Sequence, residues 1–430
     1  MHVTNPLHAG ANCFGYAKRS YIYRRKERFP ILNRIWCRSY QGVFKLAMPI
    51  LPYRDPVILD SVLAVPGILK EKKIDRVLIV TDKSLHKLGL LESLKAALAE
   101  SGVEYFIYDE TVPNPTVSNV EAARGMYIEN KCRALIGFGG GSSIDCAKAV
   151  GARIARPRTP IQRMKSILRI VLPLPFLIAV PTTAGTGSET TVTTVITEED
   201  TGRKYPISDF VLIPRAAVHD PEVTRSLPLS ITSTTGMDAL THAIEAYIGN
   251  STTPGTRADA LEAARLIAEN LETACRDGNN MAARAAMLRA SYLAGRAFSK
   301  SYVGYCHAVA HTLGGKYNIP HGLANAVLIP IVLEAYGPSI YLKARDIAVA
   351  MHLADEDTPS SVATRRLIAK IREMNRSFGI PETLKGIREE DIPAMAKHAE
   401  SEANPLYPVP VLMTARNLEQ FYYAVMEVWP

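Results

Sequence analysis

The chain predicts an α/β N-terminal domain, Rossmann-like with a parallel sheet, followed by an all-α C-terminal domain. Three observations carry that expectation. Strand-like and helix-like periods alternate from Asp75 onward. A glycine-rich turn, Phe138-Gly-Gly-Gly-Ser-Ser-Ile-Asp145, sits where a strand should hand over to a helix. Beyond Asp220-Pro221 the chain reads as successive helices rich in Ala, Leu and Arg, with no convincing strand. At 430 residues it is too long for one typical core, so two domains and an N-terminal piece are expected. The divisions fall at 1–55, a basic extension; 56–220, the α/β domain; and 221–430, the all-helical domain.

Within residues 1–34, Lys18, Arg19, Arg24, Arg25, Lys26, Arg28 and Arg34 face a single acid, Glu27. This is the pattern of a poorly ordered extension, an organelle-targeting presequence or a basic membrane-surface contact. Trp36, Tyr40, Val43, Phe44, Leu46 and Ala47 then form an apolar helical face, expected to pack on the body or on a partner subunit. Arg76–Thr81 is a buried-strand run, followed by a helical period over Leu85–Ala99. Val103–Tyr108 is a second strand and Val117–Asn130 a second helix. Arg133–Gly139 is a third strand, with a helix from about Ile144. The βαβαβ order implies a parallel sheet. Arg156–Arg169 is a basic insertion, and Leu177–Val180 another strand. Glu189–Thr197 alternates β-branched residues and ends at Asp200-Thr201-Gly202, a hairpin-turn signal.

Composition excludes several classes. Hydrophobic content of 47% and charged content of 21% fit an ordinary globular protein. The net charge of +8 is concentrated: residues 1–60 hold ten Lys/Arg against three Asp/Glu, a net of +7. No basic stripe interleaved with aromatics runs through the rest, which argues against nucleic acid. Six scattered cysteines without a C-x-x-C pair read as reduced thiols in a cytoplasmic protein. The longest apolar run, Ile170–Val180, has eleven residues with two prolines, too short to span a bilayer.

Two sets of residues carry chemistry. At the glycine-rich turn, Gly139, Gly140 and Gly141 let the backbone approach a phosphate, and a helix N-terminus there offers free N–H groups. Asp82 follows the first strand of the alternation, where a carboxylate can bond the adenine ribose and repel a 2′-phosphate. That favours NAD over NADP, although Lys83 beside it weakens the preference and leaves NADP open. In the helical half, Asp238 and His242 are four apart, and His307 and His311 repeat the spacing. His321 follows Pro320. One carboxylate and two or three imidazoles can enclose Fe²⁺ or Zn²⁺. Spacing alone favours His307 and His311 as a chelating pair.

Gly236–Tyr247 (GMDALTHAIEAY) and His307–Ala326 (HAVAHTLGGKYNIPHGLANA) resemble the two signature stretches of the iron-containing (group III) alcohol dehydrogenases, and the likeness extends over roughly residues 55–430. The resemblance implies the dehydroquinate synthase-like architecture shared by that family. It implies Asp238, His242, His307 and His321 as metal ligands, with Fe²⁺ foremost and Zn²⁺ possible in their place. It sets His311 beside the nicotinamide as a proton relay. It matches Gly139–Ser142 and Asp145 to the pyrophosphate loop, and Thr182, Thr183 and Thr186 to a second nucleotide-contacting segment. Asn114 matches a loop lining the same cleft. The implied reaction is hydride transfer between NAD(P)(H) and a small alcohol or aldehyde, by a homo-oligomer, commonly a dimer, with no nucleic-acid partner. Glu245 is expected behind the ligands or on a solvated helix face.

One departure stands out: Leu59-Asp-Ser-Val-Leu-Ala64 lacks the glycine-rich turn usual there. A dehydroquinate synthase-like lyase would want several cations near the metal, where His307–Ala326 has only Lys316. A dead scaffold would have lost ligands. A glycerol or lactaldehyde type polyol dehydrogenase would differ only in substrate.

Overall fold

The structure, a computed structural model, describes residues 27–200 and 203–427. Most of the basic N-terminal stretch therefore lies outside the described residues, as do Thr201 and Gly202 of the expected turn.

Helix α1 (Ile31–Ala47) precedes the first strand, β1 (Val57–Leu59). Next come α2 (Val65–Glu71), β2 (Arg76–Val80), α3 (Lys83–Lys87), α4 (Glu92–Glu100), β3 (Glu104–Tyr108), α5 (Val117–Glu129), β4 (Ala134–Gly139) and α6 (Gly141–Ala155). The first lobe closes with β5 (Ser166–Ile167), β6 (Phe176–Pro181), β7 (Thr193–Glu198), β8 (Arg203–Ser208) and β9 (Ala216–Val218). Six of these strands form one parallel sheet in the order β1-β9-β6-β4-β2-β3. The Val/Ile/Leu/Ala runs of β2, β4 and β6 are buried because helices cover both faces. Strand order reverses between β2 and β4, and ligands of open α/β sheets bind beyond the carboxyl ends at such a point. The segments after β2, β4 and β6 all emerge on that edge.

The helical expectation over Leu85–Ala99 resolves into two short helices, because Gly89 adopts φ +71° between them. The helix expected from Ile144 starts earlier, at Gly141. The β-branched run begins with a helical turn at Ser188–Thr190 before β7. β7 and β8 pair antiparallel, with Glu198 opposite Arg203, and β5 from the basic insertion joins β8 to make a three-stranded sheet. At the glycine-poor turn after β1, Asp220 Oδ2 accepts bonds from the Ser61 hydroxyl and the Val62 N–H, both 3.0 Å. That turn sits on the edge strand, away from β4.

The second lobe is helical: α7 (Leu229–Ile248), α8 (Pro254–Arg276), α9 (Met281–Ser301), α10 (Tyr305–Tyr317), α11 (His321–Tyr336), α12 (Tyr341–Ala350), α13 (Ser360–Ser377), α14 (Ile392–Ala403) and α15 (Ala415–Val425). α7 is buried along nearly its whole length by its helical neighbours. His321–Ala350 is apolar and long enough to cross a bilayer, yet 61% of its most apolar window is buried in the protein, which is the pattern of a core helix.

α1 rests on this lobe, but not by the face its apolar pattern suggests. Cys37 and Gln41 are its buried residues, whereas Trp36, Val43 and Leu46 are exposed. Polar bonds choose the inner face: Arg38 donates to Val409 O (2.8 Å) and Pro410 O (3.0 Å), and Gln41 to Pro405 O (3.0 Å) and Tyr407 O (2.8 Å). These bonds give carbonyls of the loop between α14 and α15 side-chain donors from α1.

Candidate active site

Loop 182–189 joins the lobes. The Gly187 N–H donates to Ser291 Oγ at 3.2 Å, and a Cβ on Gly187 would stand 2.6 Å from Gly295 Cα in α9. Gly187 also has φ +58°, so the crossing needs glycine on both counts. The Gly185 backbone hydrogen-bonds the His242 ring. The sheet edge and the helical lobe thus meet along one backbone seam.

On the sheet side, Gly139 ends β4 at φ +149°, and a Cβ there would lie 2.5 Å from Ser143 Oγ and 3.1 Å from Leu85 Cδ1. Gly140 caps α6, whose first N–H groups face outward at the strand-order reversal. Thr182 N donates to Gly139 O (3.0 Å), and Thr183 and Thr186 stand beside Gly140 and Gly141. Asn114 N donates to Ser142 Oγ (3.2 Å). Eight of the expected residues therefore form one cradle. Asp145 is different: it is buried, its Oδ2 accepts the Val195 N–H at 2.9 Å, and burial pushes its carboxyl up to about 6. It ties α6 to β7 instead of facing the cradle. Asp82 caps α3 through Oδ1, accepting from Ser84 N (2.9 Å) and Leu85 N (3.0 Å). Lys83 pairs with Glu110 at 3.0 Å.

On the helical side, Asp238 and His242 come from α7, His307 from α10 and His321 from the first turn of α11. One donor atom from each lies within 4.8 Å of all the others. His307 Nε2 and His321 Nε2 approach Asp238 Oδ1 to 3.8 and 3.6 Å, beyond hydrogen-bond range. His307 Nε2 and His242 Nδ1 are buried without a partner. A buried carboxylate ringed by imidazole nitrogens at those distances fits a divalent cation held between them. Burial holds the His242 and His307 imidazoles below their ordinary range, which keeps them in the neutral, ligating form.

His311 is set apart from the other three histidines. Its Nδ1 lies 2.6 Å from Glu402 Oε1, and its ring stacks on His321 with centroids 5.2 Å apart. Burial works to depress His311, yet the Glu402 carboxylate outweighs it and holds the imidazole above its ordinary value. Glu402 also accepts the Tyr407 hydroxyl at 2.8 Å.

Asn325, Glu402 and Lys204 were not singled out in the sequence, and Glu245 takes the first of its two expected places, behind the candidate ligands. Glu245 is buried, not solvated: it accepts Gly304 N (2.8 Å) and Cys306 N (2.9 Å), and its Oε2 is 2.6 Å from His307 Nδ1. Burial pushes its carboxyl up to about 7 against those donors. Asn325 Nδ2 spans Asp238 Oδ1 (2.7 Å) and His321 Nε2 (3.1 Å); its place four residues after His321 was the available signal. Glu402 carries none. Lys204 on β8 is half-buried, its amine lowered by burial, and its charge acts on His311 and His321.

Two family models and several known proteins match the chain. The family model described as iron-containing alcohol dehydrogenase matches residues 59–221, and that of the Fe-containing alcohol dehydrogenase family, C-terminal, matches 232–426. A 1,3-propanediol dehydrogenase of Klebsiella pneumoniae is 39% identical over 333 residues, 76% of this chain and 86% of that one. An NAD-dependent methanol dehydrogenase of Bacillus methanolicus is 37% identical over 336 residues, 77% and 87%. A crystal structure of a 1,3-propanediol oxidoreductase superposes with a TM-score of 0.83 at 36% identity, covering 86% of this chain and 98% of that one.

Proposed function

Because the chain belongs to the iron-containing alcohol dehydrogenase family, we propose that it interconverts a short alcohol and its aldehyde with NAD(H), aided by a divalent metal, Fe²⁺ foremost. The observation that supports this reading is the clustered set Asp238, His242, His307 and His321, in which His242 Nδ1 and His307 Nε2 are buried without a partner, joined through loop 182–189 to a backbone cradle at the sheet edge.

The cation, once held by those four side chains, supplies a positive charge that favours the alkoxide form of the alcohol. Each other task falls to the chain. Gly139–Ser142 and the start of α6 present N–H groups to the pyrophosphate, while Thr182, Thr183, Thr186 and Asn114 fix the loop around it. Capping of α3 uses only Asp82 Oδ1, which leaves Oδ2 for a ribose hydroxyl. Lys83 is engaged by Glu110, so the carboxylate of Asp82 dominates there and NAD is preferred to NADP. Lys204 adds a cation to the cleft wall, suited to the cofactor's anionic portion. Glu245 fixes His307 through Nδ1 and turns Nε2 toward the cluster. Glu402 does the same for His311, whose Nε2 is left to take the proton released as alcohol becomes aldehyde.

Elemental analysis alongside NAD-linked turnover of short primary alcohols tests the assignment in wild type and His307→Ala. About one metal per chain in wild type, with metal and turnover both lost in the variant, is the expected result. Full metal and full turnover in the variant would remove His307 from the ligand set and overturn the reading.

A further inference from the structure

α1 has two faces, and only one is used. The inner face, Cys37, Gln41 and Phe44, lies against the helical lobe: Phe44 meets Tyr302 at 5.0 Å between ring centroids, and Gln41 holds the loop carbonyls. The opposite face carries Ile31, Leu32, Ile35, Trp36, Val43 and Leu46, at spacings that align them in one stripe, and these are 58–82% exposed. Ile50, just past the helix, extends the stripe. Six large apolar side chains on one turn-to-turn surface far exceed the scattered exposed hydrophobics of an ordinary surface.

Charge identifies the cover. Ile31–Ala47 contains no acidic residue, and the exposed Arg34 and Lys45 line one edge of the apolar stripe. Arg28 stands just before it, and the sequence ahead adds Lys18, Arg19, Arg24, Arg25 and Lys26 with no acid before Glu27. A second copy laid face to face and antiparallel would bring two such basic edges against each other. Like charges brought together disfavour that arrangement. An apolar stripe with Trp at its border and cations along its flank instead matches a helix lying in the plane of an anionic bilayer surface.

We propose that the outer face of α1 docks the protein on an anionic lipid surface. The apolar stripe enters the boundary between headgroups and acyl chains while Arg28, Arg34 and Lys45 meet the headgroups. The inner face keeps its hold on the loop at 405–410, so docking and turnover are separable.

Flotation of the full chain with vesicles of phosphatidylcholine containing about 30% phosphatidylglycerol, against phosphatidylcholine alone, tests the proposal. Wild type should float with the anionic vesicles only, and less in about 0.5 M NaCl. The double substitution Leu32→Glu with Ile35→Glu, at exposed positions that leave the fold intact, should cut flotation at least about tenfold. Alcohol turnover should stay unchanged. Wild type that stays in solution, equal flotation on both lipids, or equal flotation of the variant would each overturn the proposal. Light scattering on the same samples separates the rival occupant: an oligomer that falls apart in the variant, with no flotation of wild type, would make this a contact between copies.

Discussion

The two lobes prepare their ligand sites in opposite ways. The sheet lobe works by removing side chains: Gly139 has no room for a Cβ beside Ser143 and Leu85, and the groups offered to a phosphate are backbone N–H at the start of α6. The helical lobe works by adding them: four candidate ligands come from three helices, with Glu245 bonded to His307 and Asn325 to Asp238 and His321. A backbone cradle depends on local conformation, which one added methyl group destroys. A side-chain cage depends on tertiary packing and degrades in steps.

This contrast predicts failures that do not cross the seam. Gly139→Ala places a Cβ where 2.5 Å remains to Ser143 Oγ, in a backbone region L residues avoid. NAD affinity should fall by about 100-fold, near 2.7 kcal/mol, with metal content unchanged. Calorimetry of NAD binding together with elemental analysis reads both, and a simultaneous loss of metal would break the contrast. Glu245→Gln keeps the shape but weakens the hold on His307 Nδ1, and metal affinity should drop about 10–100-fold. NAD binding should not move; competition with a chelator measures the first and dinucleotide titration the second. Asp82→Ala should be the mildest: it removes the charge that repels a 2′-phosphate and shifts the NADP-to-NAD ratio of kcat/KM by about tenfold. An unchanged ratio would remove Asp82 from the ribose site.

The same contrast explains what the sequence revealed. The alternation of periods placed the parallel sheet, and the switch to helices placed the second lobe, because both patterns are local. The glycine run was visible as a candidate cradle for the same reason. The metal set was harder: i, i+4 spacing put His307 and His311 on one helix face, but His311 turns to Glu402 and His321 while Asp238 and His242 arrive from α7. Glu245, Glu402 and Lys204 act across 62, 91 and more than 100 residues of chain, a separation that no spacing rule covers. Asp145 fits the cradle motif in sequence yet faces β7, since a buried N–H at Val195 needs an acceptor. α1 showed its apolar period plainly, but the inner face was selected by four carbonyl bonds that hydrophobicity does not encode.

The contact of Gly187 with Gly295 sets the mechanics of the cleft. Two backbones that touch with no side chain between them have no compressible layer, so the lobes cannot slide past one another along that line. Any opening of the cleft to a dinucleotide would therefore be rotation about that line, with the seam as pivot and the rim opposite it travelling farthest.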